Sequence, residues 1–171
     1  MAVTFFLNFF ESAPKMKNVV LVGLSVLLAG CGGASVGLPE FAANLTPVTG
    51  KVTQGDKPLV GATVTFIPDN GPGQRAYGTT DATGAYDLHT SMSGASFEET
   101  KGAVPGQYKV TVSQILMPDG SAIAAETTEA DAMAIGATES LPPAYSSFEE
   151  TILTATVAAD QTESIDFSVS Q

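Results

Sequence analysis

"VPGQYKVTVS", residues 104–113, alternates two kinds of side chain. Tyr108, Val110 and Val112 fall on one side, and Lys109, Thr111 and Ser113 on the other. A period of two belongs to a strand with one face on a core and the other in water. Upstream, "GATVTF" repeats the pattern with Ala62, Val64 and Phe66, and "PVTGKVT" with Val48, Gly50 and Val52. "QRAYGTT" is a less apolar strand, and "AYDLHT" turns Tyr86 and Leu88 inward. Downstream, "TILTATV" presents Leu153, Ala155 and Val157, and "SIDFSV" presents Ile165, Phe167 and Val169. Short turns separate these runs. In "DATG", residues 81–84, Asp81 can accept from backbone ahead of it and Gly84 can take a positive φ. Seven such strands predict an all-β fold, a seven-stranded antiparallel β-sandwich with two packed sheets. Val64, Phe66, Tyr108, Val110 and Phe167 are its expected core.

The segment before the strands has another character. "MKNVVLVGLSVLLAGC", residues 16–31, joins a basic start (Lys17, with Lys15 just upstream) to twelve uncharged, mostly apolar residues, Val19 to Gly30, that end in small ones before Cys31. That is the layout of a secretory signal, with an N-terminal signal helix. As helix the apolar run spans about 18 Å, too short to cross a bilayer. Residues 1–15 fit the layout poorly, and a start at Met16 gives a tidier signal.

Leu28-Ala29-Gly30-Cys31 resembles the bacterial lipobox. The resemblance implies signal peptidase recognition at Leu28, Ala29 and Gly30, cleavage before Cys31, and lipidation (palmitate) of the only cysteine in the chain. Several acyl chains would anchor the protein firmly to a membrane, where one would not. Gly32 rather than Asp follows the cysteine, which by analogy with lipoprotein sorting points to the outer membrane. The expected organisation is a signal peptide at 1–30, a lipidated tether at 31–46 and the β-sandwich at 47–171.

"GKV…KPLVGATVTFIP…GTTDATGAYDL…VPGQYKVTV" resembles the carboxypeptidase-regulatory-like, or transthyretin-like, β-sandwich. With the lipobox ahead, and Leu141-Pro142-Pro143-Ala144-Tyr145 before the last two strands, the chain resembles small planctomycete-type lipoproteins. The resemblance covers about residues 47–171 and implies a transthyretin (prealbumin)-like Greek key. It implies little about function. Residues 116–150 depart from compact sandwich loops, with seven acids and no base. They are expected to form a long, acidic, mobile loop, in which Ala-rich 122–135 could make a turn or two of helix.

The chemistry-bearing residues are few. Seven Lys and Arg against eighteen Asp and Glu give a net charge of −11. Phosphate binding needs clustered bases, so nucleic acid is not an expected partner. A soluble, self-repelling surface is the simple reading of this charge, and a cation-binding or basic-partner surface the sharper one. His89, the single histidine, has opposite parity to Tyr86 and Leu88 and is expected in solvent at a strand end. One His without Cys makes a poor zinc site, no D-x-D-x-D-G calcium loop occurs, and no G-x-S-x-G elbow is present. The transthyretin-like hydrolases use several His and an Arg before a "YRGS"-like end, whereas this chain ends "SVSQ". Lys51 and Asp166 stand on strands that could carry an isopeptide crosslink, but their parity turns both to water. No catalytic residue, metal ligand or cofactor is therefore expected. The expectation is a noncatalytic, lipid-anchored cell-envelope protein with an envelope protein or polysaccharide as partner. Its rival is a carbohydrate- or peptide-binding accessory domain, for which Tyr77 and Tyr145 are the candidate stacking residues.

Overall fold

The computed structural model describes residues 39–70, 73–123 and 127–170. The signal segment, Leu28, Ala29, Gly30 and Cys31 lie outside the described residues. In chain order the strands are β1 (Thr49–Gln54), β2 (Lys57–Pro58), β3 (Thr63–Pro68), β4 (Ala76–Thr79), β5 (Ala85–Asp87), β6 (His89–Thr90) and β7 (Gly106–Ser113). Then follow β8 (Ile115–Leu116), helix α1 (Glu129–Ala134), β9 (Thr138–Glu139), helix α2 (Pro143–Ser146), β10 (Leu153–Val157) and β11 (Phe167–Val169). The fold is all-β: mostly antiparallel sheets with few helices.

One sheet runs β10-β7-β3-β4-β6; a second runs β11-β1-β2, with β5 also on β1; β8 and β9 form a third. The expected runs are recognisable, but among the described residues there are eleven strands, several of only two or three residues, rather than seven. Residues 85–90, expected as one strand, leave β1 after Asp87 and join β4 at His89, so they count as two. The last strand begins at Phe167 and pairs with β1 in parallel, unlike its antiparallel neighbours.

Alternation decides which face is buried. Val64, Phe66, Tyr108, Val110 and Phe167 are all buried, as expected. They meet Val48, Val52, Tyr86 and Val169 from the second sheet in one core. Phe66 is its centre, with ring centroids of Tyr108, Phe167 and Tyr86 at 5.6, 6.1 and 6.5 Å. The phenol of Tyr86 donates to the Ile165 carbonyl at 2.5 Å, and that of Tyr108 to the Val104 carbonyl at 2.5 Å. Burial pushes both phenols above their ordinary range, and for Tyr86 the charge of Asp166 adds to it.

The turn at 81–84 is as expected. Asp81 Oδ1 accepts from the Thr83 N–H (2.7 Å), the Thr83 hydroxyl (2.7 Å) and the Ala85 N–H (3.0 Å), and Gly84 has φ 76°.

Two expectations need correction. Residues 39–46, read as tether, are partly built into the body. Glu40–Asn44 is a 3-10 turn, and Thr46 exchanges two backbone hydrogen bonds with Ala103 (2.9 and 3.0 Å). Residues 116–150, read as a loop, contain part of β8 together with α1, β9 and α2. Ile115, Ala132 and Ala137 make a second, small core there, with Met117 and Ile123 against it. Four of the acids read as solvated charge, Asp119, Asp131, Glu139 and Glu149, accept hydrogen bonds. Glu139 takes the Ser113 hydroxyl (2.5 Å) and the N–H groups of Gln114 and Leu141 (both 2.9 Å). Thr128 caps α1 by accepting from the Asp131 N–H at 3.1 Å. Asp119 Oδ1 takes the Ser121 N–H at 2.9 Å.

Candidate functional site

The outward face of the five-stranded sheet carries a cleft lined by aromatic, acidic and basic residues and a histidine. Register builds it. Thr65 on β3 stands opposite Tyr77 on β4, Tyr77 opposite His89 on β6, and His89 bridges to Lys101. Tyr77 and Thr79 alternate outward between buried Ala76 and Gly78. Gly78 is required where it stands: a Cβ there would lie 2.2 Å from the Asp87 carbonyl oxygen, at the point where the chain crosses between sheets. The turn Glu98–Thr100 closes the far side, capped by Ser96 and Glu99 in a reciprocal box. The Ser96 hydroxyl and N–H hold the Glu99 carboxyl below its usual range.

His89 is 8% exposed, which overturns its expected place in solvent. Its parity is as predicted, pointing away from the main core. Phe97, brought back by the turn, stacks on the imidazole at a centroid distance of 3.6 Å and covers it. His89 Nδ1 lies 3.3 Å from the Phe97 carbonyl and 3.4 Å from the Thr100 hydroxyl, which itself donates to that carbonyl at 2.7 Å. A carbonyl can only accept, so Nδ1 carries the hydrogen and, in the neutral ring, Nε2 is an acceptor. Nε2 has no hydrogen-bond partner among the described residues.

The cleft is open, about 400 Å³ in volume, and its wall includes Asp81, Asp87 and Glu98 beside Lys101. The Thr83 hydroxyl, with the N–H groups of Thr83 and Ala85, holds the Asp81 carboxyl below its usual range. Phe97 is 68% exposed and Tyr77 49%, so both present ring surface to a ligand.

Of the other singled-out residues, Tyr145 is half-buried, with its phenol 3.0 Å from the Ser170 hydroxyl, and lies apart from this cleft. Lys51 and Asp166 both face water, as parity predicted. They nevertheless meet, with the Lys51 backbone N–H donating to Asp166 Oδ1 at 2.9 Å. No group of three or more His, Cys, Asp or Glu placed to hold a metal occurs among the described residues. No helix among them is long and apolar enough to cross a membrane.

Phe97 and Lys101 were not foreseen as site residues. A signal for Phe97 exists: the pentapeptide SFEET occurs twice, at 96–100 and at 147–151. Both copies turn the chain and lay a phenylalanine against a side chain of the sheet, Phe97 on His89 and Phe148 under Lys109. Comparison with protein-family models, with curated proteins and with solved structures finds no match.

Proposed function

We propose that this chain is a noncatalytic binding module of a cell envelope, anchored through lipid on Cys31, with the cleft beside His89 as its recognition surface. The observation that carries the reading is the combination of exposed aromatic rings with one buried imidazole whose Nε2 is left open. An imidazole nitrogen without a protein partner, beside exposed ring surface, supports a site that holds a ligand. The lipobox-like Leu28-Ala29-Gly30-Cys31 supports the anchor, and Gly32 supports the outer membrane. Two sheets around one core support reading the body as a β-sandwich of the transthyretin-like, carboxypeptidase-regulatory-like kind.

Labelled palmitate should enter the wild type and not Cys31→Ser, and equal labelling of both would overturn the anchor. Full-length protein in detergent should be retained by isolated envelopes, and a Tyr77→Ala, Phe97→Ala double variant should be released. Equal retention of the two would show that recognition lies elsewhere.

A further inference from the structure

The lining of the cleft narrows what it can hold. A simple anion would meet three carboxylates, Asp81, Asp87 and Glu98, while a simple cation would share the wall with Lys101 and leave the exposed rings unused. A hydroxyl group suits the whole wall, because it donates and accepts at once. His89 Nε2 and the carboxylates are acceptors, while Lys101, bridged to His89 through the backbone and lining the cleft, supplies a donor. Tyr77 and Phe97 add flat apolar surface, whose negative ring faces attract the weakly positive C–H groups on the face of a sugar ring. At about 400 Å³ the cleft lies within the ~300–1,000 Å³ range of small-ligand sites. We propose that this cleft binds a neutral carbohydrate, with a sugar ring stacked on Tyr77 and Phe97 and its hydroxyls shared between His89 Nε2 and Lys101. The proposal rests on the binding-module reading and names its ligand class.

The single histidine supplies a single reporter. In full-length protein in detergent, the His89 imidazole resonance is followed while neutral tetrasaccharides of glucose, mannose or N-acetylglucosamine are added. At least one should shift the signal to saturation. Tyr77→Ala and Phe97→Ala should each weaken that binding about tenfold or more. Both side chains are exposed, so their removal leaves the core intact. Phe148→Ala, in the second copy of the pentapeptide, should leave the affinity unchanged. The proposal is overturned if none of these sugars moves the signal at millimolar concentration. Tighter binding of lysine amide or of a sulfated tetrasaccharide, or an equal loss in Phe148→Ala, overturns it as well. Envelope retention that still depends on Tyr77 and Phe97 would then leave the binding module standing without the sugar.

Discussion

Residues 96–100 and 147–151 have one sequence, SFEET, and two surroundings. In both, the fourth residue's N–H bonds to the serine carbonyl, Glu99 to Ser96 at 3.1 Å and Glu150 to Ser147 at 3.3 Å. In both, the serine hydroxyl reaches a glutamate, Ser96 to Glu99 at 2.6 Å and Ser147 to Glu149 at 3.0 Å. Beyond the turn they part. Thr100 donates back to Phe97 and helps seat His89, while Thr151 reaches across to the Val110 carbonyl on β7. Phe97 covers an imidazole, and Phe148 lies 5.0 Å from the Lys109 ammonium. Five identical residues specify a turn with an outward ring. What that ring does depends on which strand lies beneath it.

The largest expected effect lies in the core between the sheets, on the far side from both phenylalanines. Phe66→Ala should cost about 3–5 kcal/mol, read by urea unfolding, since the side chain is fully buried among three rings. A loss under about 1 kcal/mol would mean that the two sheets do not share this core.

Next come the two threonines. Thr151→Val removes the donor to the Val110 carbonyl and the acceptor of the Leu153 N–H at the start of β10, and should cost about 1–2 kcal/mol in the same assay. Thr100→Val should instead move the His89 resonance, because it removes a hydroxyl beside Nδ1. A shifted His89 signal in Thr151→Val and an unshifted one in Thr100→Val would reverse the roles assigned to the two turns.

The smallest effect is one of pH. The Glu99 carboxyl titrates below its ordinary value of 4.5 in the folded protein, because Ser96 hydrogen-bonds its charged form. The unfolded chain therefore takes up this proton first as acid is added. The contribution of Glu99 to stability is present above about pH 4.5 and is lost as pH falls through the lower, folded value. Glu99→Gln should flatten the acid limb of the stability–pH curve slightly. An unchanged limb would show the Ser96 bonds to be absent in solution.

The acidic segment shows why part of the fold was illegible. Glu139 reads as solvated charge, because local composition does not reveal donors that lie far along the chain. The donors of Glu139 include Ser113 and Gln114, more than twenty residues away. A small apolar cluster of Ile115, Ala132 and Ala137 then suffices, since hydrogen bonds to the carboxylates share the ordering. The Asp81 turn, by contrast, was legible: its donors are Thr83 and Ala85, within four residues.

The sequence by itself determined which runs are extended and which side of each is buried, though not where a run breaks into two strands. Side-chain parity is a property of neighbouring residues and needs no knowledge of partners. It determined the turn at 81–84 for the same reason. Only the tertiary structure decided that β11 joins β1 in parallel, that residues 85–90 change sheets at Asp87, and that Phe97 rather than water covers His89. Each of these is a contact between residues distant in sequence or on separate strands, and its free energy depends on the positions of both partners. Alternation can turn His89 away from the core, but what meets it there is set by the return of the chain at 97–101.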